Sequence, residues 1–208
     1  MEQTSLKRIA ETFARREAGI LGEQSLKKAA VFVPLLEQDG ELHVLFQERA
    51  HHLRNQPGEI CFPGGRVEAQ DANPRATAVR ETCEELGLPE QGVEVLGKLD
   101  ILVSYFQIIY PYVGRIREPG QIAPDADEVA EVFTVPLSDL LQQEPEMHPV
   151  GFQVVPPDEF PFDWIQNGRA YHWRQGKIPQ YFYFYEDRII WGLTARILHH
   201  FLAIVRER

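Results

Sequence analysis

The chain has 208 residues, 44% hydrophobic and 25% charged, which is the balance of an ordinary globular protein long enough for a substantial core. Its formal charge of −10 argues against a nucleic-acid binder, because neutralising a phosphate backbone needs a basic surface; a small anionic ligand would need metal ions or a local cluster of Arg and Lys. No run of about 18 apolar residues reads as a membrane span, there is no signal-peptide core, and the final Arg-Glu-Arg is unlike a peroxisomal address, so the expectation is a cytoplasmic protein.

Residues 3–19 carry Leu6, Ile9, Ala10 and Phe13 at helical spacing between charges, which predicts an amphipathic opening helix ended by Gly19 or Gly22. Ala29 to Leu36 and Leu42 to Gln47 are apolar runs joined around Asp39-Gly40, a hairpin signal. The second run leads into RAHHLRNQPGEICFPGG, residues 49–65. Glu59 to Phe62 reads as a strand, and Phe62-Pro63-Gly64-Gly65 as a tight turn where backbone approaches a ligand closely. Adjacent His51 and His52 do not share a face and read as solvated. Cys61 and Cys83 have no CxxC partner and read as buried free thiols of a reducing compartment.

Asn73 as N-cap, Pro74 as first helical residue and Gly87 just past the end place a helix over 74–86. At about 100° per residue, Ala76, Val79, Cys83 and Leu86 fall on one side and Glu81, Glu84 and Glu85 on the other, which predicts one packed face and one carboxylate face. Glu81 and Glu85 repel at i,i+4, Glu84 and Glu85 oppose the helix dipole, and Arg80 alone does not neutralise three carboxylates. Hard divalent cations with oxygen ligands would do so.

Val93 to Leu99 and Ile101 to Arg115 read as strands. The acidic stretch Asp125 to Glu131 precedes a strand, Val132 to Val135, and a helical turn, Pro136 to Leu141. Gln142 to Gln180, rich in prolines and aromatics, reads as a long excursion. A lid whose Arg169, Arg174 and Lys177 meet an acidic ligand, a structural flap and a homodimer contact all fit it. Tyr181 to Tyr185 is an aromatic strand, and Ile189 to Val205 a helix that puts Trp191 in the core and gives His199 and His200 no chemical role.

Gly65, Arg80, Glu81, Glu84, Glu85, Gly87 and Leu88 together resemble the box of the Nudix hydrolase family. Two positions depart from it: Asp71 stands where the family has Glu, and eight residues rather than seven separate it from Arg80. The preceding Arg49, Ala50, Arg54, Gly58 and Phe62-Pro63-Gly64-Gly65 resemble the additional signature of the coenzyme A pyrophosphatase subfamily, in which the longer loop is usual. The segments LDILVSYFQIIYPYVGRI and IWGLTARIL resemble the same subfamily.

The element order gives α+β, and the resemblance implies a Nudix α/β/α sandwich with a mixed sheet, one domain over residues 1–208 with the opening helix and the excursion added. It implies hydrolysis of the diphosphate of coenzyme A, or an acyl or oxidised derivative, to 3′,5′-ADP and 4′-phosphopantetheine. Mg²⁺ or Mn²⁺ would be held by Glu81, Glu84 and Glu85, with the Gly65 carbonyl and Glu128 as further ligands. Glu81 would ligate or orient water, Arg80 would hold a carboxylate in place, and Arg49, Arg54 and Gly64 would meet the small-molecule substrate. Alternatives are a Nudix pyrophosphatase for ADP-ribose, NADH or a nucleotide sugar, and a non-catalytic Nudix-like ligand-binding domain.

Overall fold

The computed structural model describes residues 5–206. Gln3 and Thr4 of the expected opening helix, and Glu207 and Arg208 of the expected terminal triplet, lie outside it. β1 (Lys27–Gln38) and β2 (Glu41–Arg49) form the expected hairpin, with Asp39 and Gly40 at φ 52° and 84°, the left-handed pair a two-residue turn needs. β7 (Gln107–Ile116) runs parallel to β1 from Lys27–Gln107 to Leu35–Arg115. β5 (Val93–Lys98) and β6 (Leu102–Val103) add antiparallel to β7, and β8 (Val129–Pro136) adds antiparallel to β2, so the sheet is mixed.

β1 and β2 pair only near their turn, where Leu35 to Gln38 face Val44 to Glu41. Beyond that they part like a fork. β3 (Ile60–Cys61) fills the gap against β2, and β4 (Gly64–Arg66) fills it against Ala29 to Val31 of β1. The glycines expected in a turn are therefore strand residues. Gly64 has φ 151°, and a Cβ there would collide with the Ala30 carbonyl oxygen and lie 2.7 Å from Val31 Cα, so only glycine lets β4 seat on β1.

Alternation along β1 sends Ala30, Phe32 and Leu36 to one face and Val31, Val33 and Leu35 to the other. α2 (Pro74–Leu86) covers the first face with Ala78 and Leu86. α4 (Gly192–Arg206) covers the second with Ala195, Ile197, Leu198, Phe201 and Leu202. This is the expected α/β/α sandwich. α2 has the expected bounds: Asn73 Oδ1 accepts from the Ala76 N–H at 3.1 Å, and Gly87 ends the helix at φ 64°.

The faces of α2 follow expectation only in part. Leu86 is buried and Val79 and Cys83 pack against the same core cluster, but the buried set also takes in Thr77, Ala78, Thr82 and Glu85, while Ala76, Val79 and Cys83 also line an open groove of about 610 Å³ on the outer side. The threonines turn inward because their hydroxyls find local acceptors, Thr82 the Ala78 carbonyl at 2.7 Å and Thr77 the Asp71 carboxylate at 2.8 Å. Cys83 is therefore half-buried rather than core, as is Cys61, and both are free.

α1 (Leu6–Ala14) starts at the Ser5 cap and stops at Arg15, short of Gly19. All its residues are exposed, so no tertiary packing prolongs it. α3 (Leu137–Gln142) follows β8. The excursion is ordered at both ends: β9 (Glu146–Gln153) pairs along β10 (Gln175–Tyr185), which also absorbs the aromatic strand. Between them Phe160, Tyr171 and Trp173 pack edge to face, and the Arg169 guanidinium sits 4.6 Å over Phe162. Arg169 thus serves the excursion itself. β11 (Arg188–Ile190) takes the residues expected to open α4, which leaves Trp191 45% exposed and stacked on Phe182 instead of in the core. His199 stacks on Tyr181 at 4.1 Å and shares a 3.0 Å hydrogen bond with the Tyr183 hydroxyl.

Arg206, in the last turn of α4, donates to the carbonyls of Leu141 (2.8 Å) and Gln143 (2.9 Å) at the end of α3. Arg206→Ala is expected to lower stability by about 1–2 kcal/mol, the scale of lost charge-assisted hydrogen bonds. Urea unfolding measures it, and an unchanged midpoint would show that the cap is supplied by water.

Candidate active site

The site lies where the fork between β1 and β2 opens, with β4 at its floor and the inner edge of α2 beside it. Glu85 faces inward and is 3% exposed. Its Oε2 accepts the Gly64 N–H at 2.9 Å. Burial, the largest effect, pushes its carboxyl up to about 7, and the charges of Glu81 and Glu128 push the same way. Glu81, one turn earlier, lies directly over Gly65, where a Cβ would overlap its carboxyl group. Burial also raises Glu81, against the pull of Arg80. Glu84 is the outer member, 59% exposed at its side chain.

Arg80 binds this edge together. Its Nη1 lies 2.8 Å from Glu81 Oε1 and 2.9 Å from Glu84 Oε2. Its Nε and Nη2 donate to the two oxygens of Asp71 at 3.0 and 3.1 Å. Asp71 Oδ2 also accepts from the Glu68 N–H at 2.9 Å and from Thr77 at 2.8 Å. The residue that departs from the family pattern is therefore a hub, holding the loop before α2 to the helix. Its side chain is 4% exposed, and its bond from Arg80 holds its carboxyl well below the usual range. A depressed folded-state value means a stabilising contribution present from about pH 4 upward and lost only as the pH falls further. Asp71→Asn is expected to lower the melting midpoint by several degrees at pH 7 and to narrow the gap to parent at pH 3. Equal midpoints at pH 7 would exclude the hub.

Glu128 occupies an exposed turn in which Asp125 Oδ1 accepts the Asp127 N–H at 3.0 Å and the Asp125 carbonyl accepts the Glu128 N–H at 3.0 Å. The Asp125 N–H in turn donates to the Glu85 carbonyl at 3.0 Å, which ties this turn to the end of α2. Glu81, Glu85 and Glu128 thus share one electrostatic field.

The arginines separate. Arg49 points toward Cys61, and its Nε is buried without a hydrogen-bond partner. Arg54 is exposed, in the loop between β2 and β3. His51 stays 75% exposed and lies 3.2 Å from Glu48. Gln47 escaped the sequence reading: it is wholly buried on β2 beside Glu85 and Cys61. Its signal was available, since alternation puts Leu45, Gln47 and Arg49 on one face of the strand.

Among the described residues no three His, Cys, Asp or Glu side chains converge as a formed metal cluster. The donor set nevertheless suits a hard divalent ion: all are carboxylates, and the two innermost are held in a desolvated, mutually repelling pair that positive charge would relieve.

The chain belongs to the Nudix family: the NUDIX domain model matches residues 26–172, across the fork, the box helix and most of the excursion. Members of that family generally use divalent metals such as Mg²⁺ or Mn²⁺. Mouse peroxisomal coenzyme A diphosphatase NUDT7 is 41% identical over 121 residues, which cover 58% of this chain and 51% of the mouse protein. The chain thus spans about half the length of that relative. The uncharacterized Nudix hydrolase NudL of Pectobacterium atrosepticum is 33% identical over 184 residues, 88% of this chain and 84% of that one. A crystal structure of a MutT/nudix family protein from Enterococcus faecalis aligns with 99% of this chain and 71% of its own, at 16% identity and a TM-score of 0.49.

Proposed function

We propose that this Nudix hydrolase cleaves the diphosphate linkage of coenzyme A or of an acyl or oxidised derivative, releasing 3′,5′-ADP and 4′-phosphopantetheine or its acyl form. The observation that carries this reading is the likeness to the mouse coenzyme A diphosphatase, which accompanies the Arg49 to Gly65 signature. In the reaction, water adds to one phosphorus, the bond from that phosphorus to the bridging oxygen breaks, and the bridging oxygen leaves with the other phosphate.

Mg²⁺ or Mn²⁺, when bound, would supply positive charge against the diphosphate and acidify water. Glu81 and Glu85 are the inner carboxylates to hold it, with Glu84, Glu128 and the Gly65 carbonyl as further donors. Arg80 sets the outer edge by fixing Glu81 and Glu84 to one nitrogen. Arg49, Arg54 and Gly64 are assigned to the substrate. The whole chain acts as one domain in this reading. Free Cys61 and Cys83 support a reducing, cytoplasmic setting, and no described helix is long and apolar enough to cross a membrane.

The test is product analysis by chromatography and mass spectrometry after incubation with Mg²⁺ or Mn²⁺ and, separately, coenzyme A, acetyl-coenzyme A, ADP-ribose, NADH and a nucleoside triphosphate. The expected result is 3′,5′-ADP with 4′-phosphopantetheine, formed faster than any other product. Faster cleavage of ADP-ribose or NADH would discard the substrate and keep the chemistry. No cleavage by folded, metal-supplied protein would favour a ligand-binding domain.

A further inference from the structure

Among the described residues, Gln47 is a large polar side chain that is fully buried in the core, and neither its amide oxygen nor its amide nitrogen has a hydrogen-bond partner. Unmade buried hydrogen bonds carry a desolvation cost that a leucine or methionine of similar size would avoid. The position is also not one that needs an amide for the fold. Gln47 makes its ladder pairs through backbone, opposite Cys61 on β3 and Val132 on β8.

The amide lies against two groups, the Cys61 thiol and the Glu85 carboxylate. Glu85 Oε2 accepts the Gly64 N–H at 2.9 Å. One oxygen of a buried carboxylate is thus fixed by the floor of the fork, while the nearest side-chain donor is an amide with its own hydrogen-bonding capacity unspent.

We propose that Gln47 is a positioning residue for Glu85, its amide fixing the orientation in which the carboxylate is presented to a divalent cation. This rests on the reading of Glu85 as a cation ligand given above. The backbone N–H of Gly64 and the Gln47 amide then hold the carboxylate from two directions, as outer partners orient ligands in other metal sites, where their loss typically weakens metal binding about 10–100-fold.

The test uses the full chain and Mn²⁺ alone, followed by electron paramagnetic resonance and calorimetric titration, with parent, Gln47→Met and Glu85→Gln side by side. Gln47→Met keeps the length and removes the amide. It is expected to melt at or above the parent midpoint, since unpaired polar atoms are lost. It should nevertheless bind Mn²⁺ at least about tenfold more weakly and show an altered resonance line shape. Gln47→Leu, of different shape and equal apolarity, is expected to repeat the loss, which separates the missing amide from a packing change. Parental Mn²⁺ affinity and line shape in both variants would overturn the role of Gln47 while leaving the site intact. Mn²⁺ binding in the parent that Glu85→Gln does not weaken would overturn the reading of Glu85, and with it this proposal.

Discussion

Replacing Glu85 by Gln is expected to cut diphosphate hydrolysis by about 10³-fold and, in the same molecule without metal, to raise thermal stability at neutral pH. The two effects have one cause. Glu85 is a desolvated carboxylate whose value is pushed up to about 7, above the roughly 4.3 of an unfolded Glu. A raised folded-state value means that its contribution to stability is fully present below about pH 4 and is lost as the pH rises through 7. At pH 8 the charged group costs the metal-free fold about 2–4 kcal/mol, by the size of the shift. Gln keeps the shape and still accepts the Gly64 N–H, but it carries no charge. The checks are steady-state turnover with excess Mg²⁺ and melting curves in chelator at pH 5 and pH 8. The variant should gain over parent at pH 8 and much less at pH 5. Parental turnover would remove Glu85 from the chemistry, and a lower midpoint at pH 8 would contradict the account of its burial.

The second large effect separates two adjacent glycines. An alanine at Gly65 meets the end of the Glu81 side chain, which is flexible, so the fold should hold with a midpoint close to parent. Turnover should fall about 10²-fold, because a displacement near 1 Å of a reacting group costs that much. An alanine at Gly64 meets backbone, the Ala30 carbonyl and Val31 Cα, at a φ of 151° that L-residues avoid. It should cost about 3 kcal/mol or more by unseating β4 from β1. Denaturant unfolding of both variants with turnover of the folded fraction distinguishes them. Equal loss of stability in the two would mean that Glu81 is wedged rather than mobile.

How legible this molecule was in its sequence depends on how far apart the interacting residues lie. α2 was placed to the residue, because its signals are local: Asn73 bonds its own first turn and Gly87 its own last. The hairpin at Asp39-Gly40 is legible for the same reason. β4 reads as a turn from its own residues because its reason for being a strand is Ala29 to Val31, a segment invisible from a window around Gly64. The inward turn of Glu85 is not visible in helical spacing, which groups it with Glu81 and Glu84 on a face left to water and cations. Here a glycine N–H receives it instead. Asp71 was legible only as a departure from a pattern; that it gathers Glu68, Thr77 and Arg80 needs coordinates. The excursion is too aromatic for its turns to be legible, although the two strands that bound it, β9 and β10, follow ordinary antiparallel pairing.

The loop from Ala50 to Gly58 returns to where it left: the Arg49 N–H donates to the Glu59 carbonyl, and the Gly58 N–H donates to the Arg49 carbonyl, each at 3.0 Å. The box is closed separately, by Asp71 and Arg80. The two segments are thus fastened by independent clasps. In the proposed reading the first segment meets the substrate, so changes of sequence there would redraw which molecule is admitted while the carboxylate helix keeps its pose, and selectivity would diverge among descendants of this chain without the hydrolytic machinery being rebuilt each time.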